Sequence, residues 1–175
     1  MSMELLTFPY LGGFYQRDED AGRAKRTHLE ELARLLPWIA TIDAFQHWIY
    51  THPNHTRAER LATWRDLDQR FGAQVDWTGL EKYRDMFWQR QLHLFSVPLY
   101  YIEYGIAQLG ALQLWLQSRR DEKRALANYH KALALGGSRP LPELFGAAEL
   151  KFDFGPGTMR SLMDEVKSEL AKLPA

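Results

Sequence analysis

The 175-residue sequence contains no cysteine. That excludes a disulfide framework and any thiolate metal site, and it fits a reducing compartment. Charge of one sign is missing too, since 22 basic side chains balance 22 acidic ones. No global field draws the chain to nucleic acid or to an anionic membrane, and neither is expected as a partner. Long apolar runs are also lacking. No stretch approaches the about eighteen uninterrupted apolar residues of a membrane span, and the segment Met1 to Leu6 has neither the basic region nor the apolar core of a signal peptide. The expected location is the cytoplasm. There is no Walker-type glycine loop, no Gly-x-Ser-x-Gly elbow and no cysteine nucleophile, so those classes of chemistry are set aside.

What the sequence has in quantity is rings: six Trp, eight Tyr and nine Phe. Such a content suits large buried surfaces or a ring-lined groove. The chain reads helical almost throughout, with no alternating pattern of useful length, so the expected class is an all-α array of about six to eight helices in one domain over residues 1–175. Asp18 opens a long segment, with Leu29, Leu32, Leu36, Ile39, Phe45 and Ile49 near helical spacing until Pro53; Pro37 should kink it or split it near Leu36. Further helices are expected over Thr56 to Phe71, Trp77 to Gln91, from Val97 behind a capping Ser96, Asp121 to Leu135, Leu141 to Leu150 and Thr158 to Leu173. The stretch "KFDFGPG" at Lys151 reads as a loop with extended character. Trp38, Phe45, Trp48, Ile49, Leu61, Trp64, Ile102, Ile106, Leu109 and Leu133 are expected to be mostly buried. The stretch "RALANYHKALALGG" resembles one helix of a tetratricopeptide unit, but no second copy at roughly 34 residues exists. It is read as an amphipathic helix packing Ala127, Tyr129, Ala132 and Leu133.

Two clusters carry candidate chemistry. His47, His52 and His55 lie close in sequence, with Asp43 one turn before His47. A strong zinc signal places two histidines at i and i+4, as in His-Glu-x-x-His. His47 and His52 are five apart, which points instead to an Asp43 to His47 contact and a polar loop. The second cluster is "HLFSVPLYYIEYGIAQLGALQLW", from His93 to Trp115. On a helix starting near Val97, Tyr100 and Tyr104 share a face while Ile102, Ile106 and Leu109 lie on the other side. Gly105, Ala107, Gly110 and Ala111 would let another helix or an extended peptide approach closely. Phenol and imidazole donors suit a developing oxyanion. A buried histidine with tyrosines bonded to backbone carbonyls would explain the same residues.

The segments "MSMELL", "DAFQHWIYTHP", "WQRQLHLFSVPLYYIEYGIAQLGALQLW" and "ALALGGSRPLPELFGAAELKFDFG" together resemble the C-terminal part of oligoendopeptidase F and its relatives in the thimet oligopeptidase family of zinc metallopeptidases. The resemblance implies an oligopeptide substrate, and it implies that His93, Tyr100 and Tyr104 line the cleft and stabilise the scissile peptide's oxyanion. Tyr101 is a less certain match. It also implies zinc in the complete enzyme, held by a His-Glu-x-x-His helix and a later glutamate. None of the six histidines here stands in that motif. Glu4 matches the second acidic residue of the ligand helix, a support to the ligands at most, and the sequence is expected to begin just after the ligand glutamate. Two readings follow. In one, the chain is the substrate-binding wall of a metallopeptidase, binding no zinc and inactive alone, and needing the part that carries the ligands. In the other it is a stand-alone helical peptide-binding or scaffold protein. A face left bare would favour self-association.

Overall fold

In the computed structural model, which describes residues 1–174, every regular element is helical. The α-helices are α1 (Ser2–Leu6), α2 (Asp18–Thr51), α3 (Arg57–Phe71), α4 (Glu81–Met86), α5 (His93–Ser96), α6 (Ile102–Ser118), α7 (Glu122–Ala134), α8 (Leu141–Ala147) and α9 (Pro156–Leu170). Two 3-10 turns add Phe8–Gly13 and Phe87–Arg90. The all-α expectation holds, with more and shorter helices than periodicity suggested, because single turns have no period to detect. Among the described residues no helix is long and apolar enough to cross a membrane.

The chain forms two compact units, Met1–Glu31 with Ile106–Ala175, and Leu32–Gly105. The boundaries fall inside α2 and α6. In the first unit Phe8 sets its ring edge against Trp115 at 6.0 Å and His28 at 5.7 Å, while Leu6, Leu114 and Ala125 share a smaller cluster with Leu126 and Tyr129. Arg26 donates to the carbonyls of Leu170 at 2.9 Å and Leu173 at 2.7 Å, and also to that of Pro174. These carbonyls stand at and just beyond the C-terminal end of α9, where helix carbonyls run short of backbone donors. The expected loop at Lys151 belongs to no helix or strand and is held by a side chain. The Gln113 side chain accepts from the Lys151 N–H at 2.8 Å and donates to its carbonyl at 2.9 Å.

The second unit is built on rings. Trp64 is 0% exposed; its ring meets Phe45 at 5.2 Å and Trp38 at 6.1 Å, and its indole N–H donates to the Arg84 carbonyl at 2.7 Å. A capping box closes the start of α3, where Thr56 accepts from Glu59 N–H and Glu59 accepts from Thr56 N–H. Arg65 and Asp85 form a two-pronged pair, with both N···O distances 2.6 Å. The Asp85 carboxyl is held below the usual carboxylate range, chiefly by these hydrogen bonds and against its own burial. A depressed folded pKa stabilises above the unfolded value near pH 3.9 and ceases to as pH falls through the folded value. Asp85→Asn should therefore lower the unfolding free energy by about 1–2 kcal/mol at pH 7. In urea titrations the gap from wild type should shrink below about pH 4.

Several expectations are corrected. α2 is not split near Leu36 and stays helical through Pro37. The cost of a mid-helix proline, about 3 kcal/mol, is offset by burial of Ile39 and Ile42 just beyond it, and Thr41 Oγ1 donates back to the Pro37 carbonyl at 2.9 Å. Ile102 is 37% exposed because α6 starts at that residue rather than near Val97. Leu133 is 58% exposed in the last turn of α7, and Ala127 is exposed too. The packed side of α7 runs instead through Ala125, Leu126 and Tyr129. Phe45, Trp64 and Leu109 are buried as expected, while Trp38, Trp48, Ile49, Leu61 and Ile106 are half-buried.

Candidate functional site

The site lies wholly within the second unit and starts from one strained turn. Between α5 and α6 the residue Leu99 takes φ +58°, a left-handed conformation rare for a branched side chain. Its N–H donates to Oε1 of buried Gln46, on α2, at 3.0 Å. That turn follows the end of α5, keeps Tyr100 off the helix and leads into α6 three residues after Leu99, with the Tyr100 carbonyl accepting from Glu103 N–H at 2.9 Å. Tyr100 and Tyr104 are thus not stacked one turn apart on a single helix. Their rings nevertheless meet edge to face at 5.7 Å. Leu99→Gly removes a left-handed penalty of about 1–2 kcal/mol and adds a smaller backbone-entropy cost. Because the leucine side chain is itself exposed, a melting curve should show equal or slightly higher stability.

His93, the first residue of α5, sits among three phenols. Its ring lies 4.9 Å from Tyr101, 5.6 Å from Tyr104 and 6.2 Å from Tyr100, the last nearly parallel. Its Nε2 is 3.2 Å from the Tyr104 hydroxyl, and its Nδ1 is 2.6 Å from Nε2 of Gln91. Gln91 Oε1 in turn accepts from the Trp38 indole N–H at 3.2 Å. Tyr101 is 8% exposed, and burial pushes its phenol above the usual tyrosine value, partly opposed by a hydrogen bond from Trp38. Tyr104 is half-buried and Tyr100 is 48% exposed, so the cluster grades from a dry floor to a wet rim. Gly105 lets α6 approach α2, since a Cβ there would stand 3.3 Å from Ile39 Cγ2. In the first unit Gly110 lies against the Phe145 ring in the same way and Ala111 is buried. Of the four small residues expected to admit a partner, only Ala107 is exposed.

The structure thus brings His93, Tyr100 and Tyr104 together. Gln91 and Gln46 carry no sequence signal as site residues, and Trp38 is expected there only as a buried ring, because a single amide or indole has no spacing to mark a role at a site. Glu4 is elsewhere, in the first unit, where an exposed carboxylate oxygen lies 2.5 Å from the Met1 ammonium, which holds its pKa below the usual range. The Asp43 to His47 contact is present at 3.6 Å. His52 stacks on Trp48 at 4.9 Å, and its Nδ1 faces the Trp48 carbonyl. Among the described residues no group of three or more His, Asp or Glu side chains is placed to hold a metal ion.

The model of peptidase family M3 matches residues 1–162, and the chain belongs to that family, a family of metallopeptidases. Among solved structures, PZ peptidase A with an inhibitor matches at TM-score 0.88 and 36% identity, over 98% of this chain and 30% of that one. A protein described as oligoendopeptidase F matches at TM-score 0.82 and 34% identity, again over 98% and 30%. Another, from Bacillus anthracis, matches at 0.75 and 28%, over 98% and 27%. No curated protein matches. The resemblance to oligoendopeptidase F read from the sequence is borne out, and the chain spans less than a third of the length of these solved relatives.

Proposed function

We propose that this chain forms the substrate-facing wall of an oligopeptide-cleaving metallopeptidase, in which His93, Tyr100 and Tyr104 bind the peptide and Tyr104 donates a hydrogen bond to the scissile carbonyl oxygen. The observation that carries the reading is the His93 to Tyr104 contact of 3.2 Å, edged by the exposed Tyr100 ring, in a chain of the M3 family. When a peptide carbonyl is attacked, charge gathers on its oxygen, and a donor already fixed in a partly dry site stabilises that charge without reorganising. His93 holds the phenol in place. Tyr100, stacked parallel to His93 and open to solvent, offers a flat face to the peptide.

Among the described residues no group of three or more His, Asp or Glu side chains is placed to hold the zinc that the family resemblance implies. The ligands and the water-activating base are assigned to a different segment of the working enzyme. An exposed apolar run beside the site, including Leu92, Phe95, Val97 and Leu99, supports a covering partner of that kind. The test is a chimera of PZ peptidase A in which this chain replaces the segment it matches. Hydrolysis of a short peptide by a folded chimera supports the proposal, and a folded chimera that binds metal but cleaves nothing contradicts it. If this chain binds the same peptide alone while the chimera is inert, the stand-alone binding protein is the better reading.

A further inference from the structure

We infer that Gln91 is a positioning residue that fixes the tautomer of His93 and thereby leaves the hydroxyl proton of Tyr104 free to be donated outward. Donors and acceptors along a chain of three contacts fix the tautomer. The Trp38 indole nitrogen carries a hydrogen and cannot accept, so the Gln91 atom 3.2 Å away must be the amide oxygen. A flipped amide would set one donor against another. The amide NH2 is therefore the group 2.6 Å from His93 Nδ1, and because it can only donate, Nδ1 must accept. A neutral imidazole has one ring proton, which this leaves on Nε2. Nε2, 3.2 Å from the Tyr104 hydroxyl, accordingly donates, and the Tyr104 oxygen accepts. The phenol's own proton is then not used by His93. The opposite tautomer would have Nε2 accept from Tyr104 and consume that proton inside the cluster.

The surroundings hold the arrangement. Gln91 ends the 3-10 turn Phe87–Arg90, with its N–H donating to the Trp88 carbonyl at 3.1 Å and its carbonyl accepting from Leu94 N–H at 3.1 Å. Trp38 is wedged edge-on between Trp64 at 6.1 Å and Phe87 at 5.6 Å, which fixes where its N–H points. Tyr101 packs edge-on to His93 from the buried side, so the ring cannot swing away in that direction. No other inward hydrogen-bond partner of His93 is needed to set the tautomer. The role of Gln91 in substrate binding rests on the proposed function, whereas its effect on His93 does not.

The test is the nitrogen spectrum of His93 in the 15N-labelled 175-residue chain, free of any peptide, at a pH where the ring is neutral. One hydrogen bond of ordinary strength biases the tautomers by about tenfold, so wild type should show the proton on Nε2, with Nδ1 as a bare acceptor. In Gln91→Glu the carboxylate can only accept, and Nδ1 should gain a proton. Gln91→Leu removes the bias and should give a mixture, and it serves if the half-buried carboxylate of the first variant prevents folding. A wild-type proton on Nδ1, or the same tautomer in wild type and both folded variants, overturns the inference. The two claims fail separately. The expected tautomer in a chain whose chimera is inert removes the peptidase reading and leaves the Gln91 role intact; the wrong tautomer in an active chimera removes the Gln91 role alone.

Discussion

Trp64→Ala is expected to destabilise the second unit by about 3–5 kcal/mol, the range for truncating a large buried ring. Trp64 has no exposed surface, and it supports Phe45 on one side and Trp38 on the other. It also gives its indole proton to the Arg84 carbonyl, which the truncation leaves without that donor. At roughly 2–4 °C per kcal/mol for a chain of this size, the melting transition should fall by about 6–20 °C. A drop under about 1 kcal/mol would mean that the rings around Trp64 collapse into the space, which their fixed edge-to-face contacts argue against. The variant also reaches the site. Trp38 loses a wall, so its N–H no longer points reliably at Gln91, and His93 should lose tautomer selectivity even in molecules that stay folded.

How much of this could be read from the sequence depended on whether a feature has a period. The apolar spacing of Ile39 and Phe45 on α2 and the helix from Thr56 to Phe71 with Trp64 packed inward obey local rules of helix geometry, and each appears where expected. The turn at Leu99 does not. A left-handed leucine is chosen by tertiary context, here the buried Gln46 that takes its N–H, and nothing in "SVPLYY" marks it. The sequence therefore suggests a helix from Val97, whereas residues 97–101 form the turn after α5 and α6 starts only at Ile102. Leu133 misled for a related reason. A leucine in the last turn of α7 fits the apolar pattern, yet the packed stripe had already rotated away from it. At the site, His93, Tyr100 and Tyr104 were named by resemblance to a family pattern. Gln91 and Trp38 emerged only from distances.

The second large effect falls on activity. Tyr104→Phe removes one hydroxyl and nothing else. His93 Nε2 loses its acceptor, and, on the proposed function, the peptide carbonyl would lose its donor. Losing a single donor to a developing oxyanion typically lowers kcat by about 10²–10³-fold, or about 2.7–4 kcal/mol of transition-state stabilisation. Because that charge is absent in the ground state, KM should change little. Tyr100→Phe keeps the exposed ring that stacks on His93 and should cost far less. The effect of Tyr104→Phe should not be explained by lost stability, since the phenol is half-buried and its ring contacts with His93, Tyr100 and Tyr101 survive. Melting temperatures of the two forms should agree within about 2 °C.

If this wall supplies the donor for peptide-bond cleavage, removing the Tyr104 hydroxyl in the chimera should lower kcat for one short peptide by about 10²-fold or more at nearly constant KM. Equal kcat values in two equally folded proteins would contradict it.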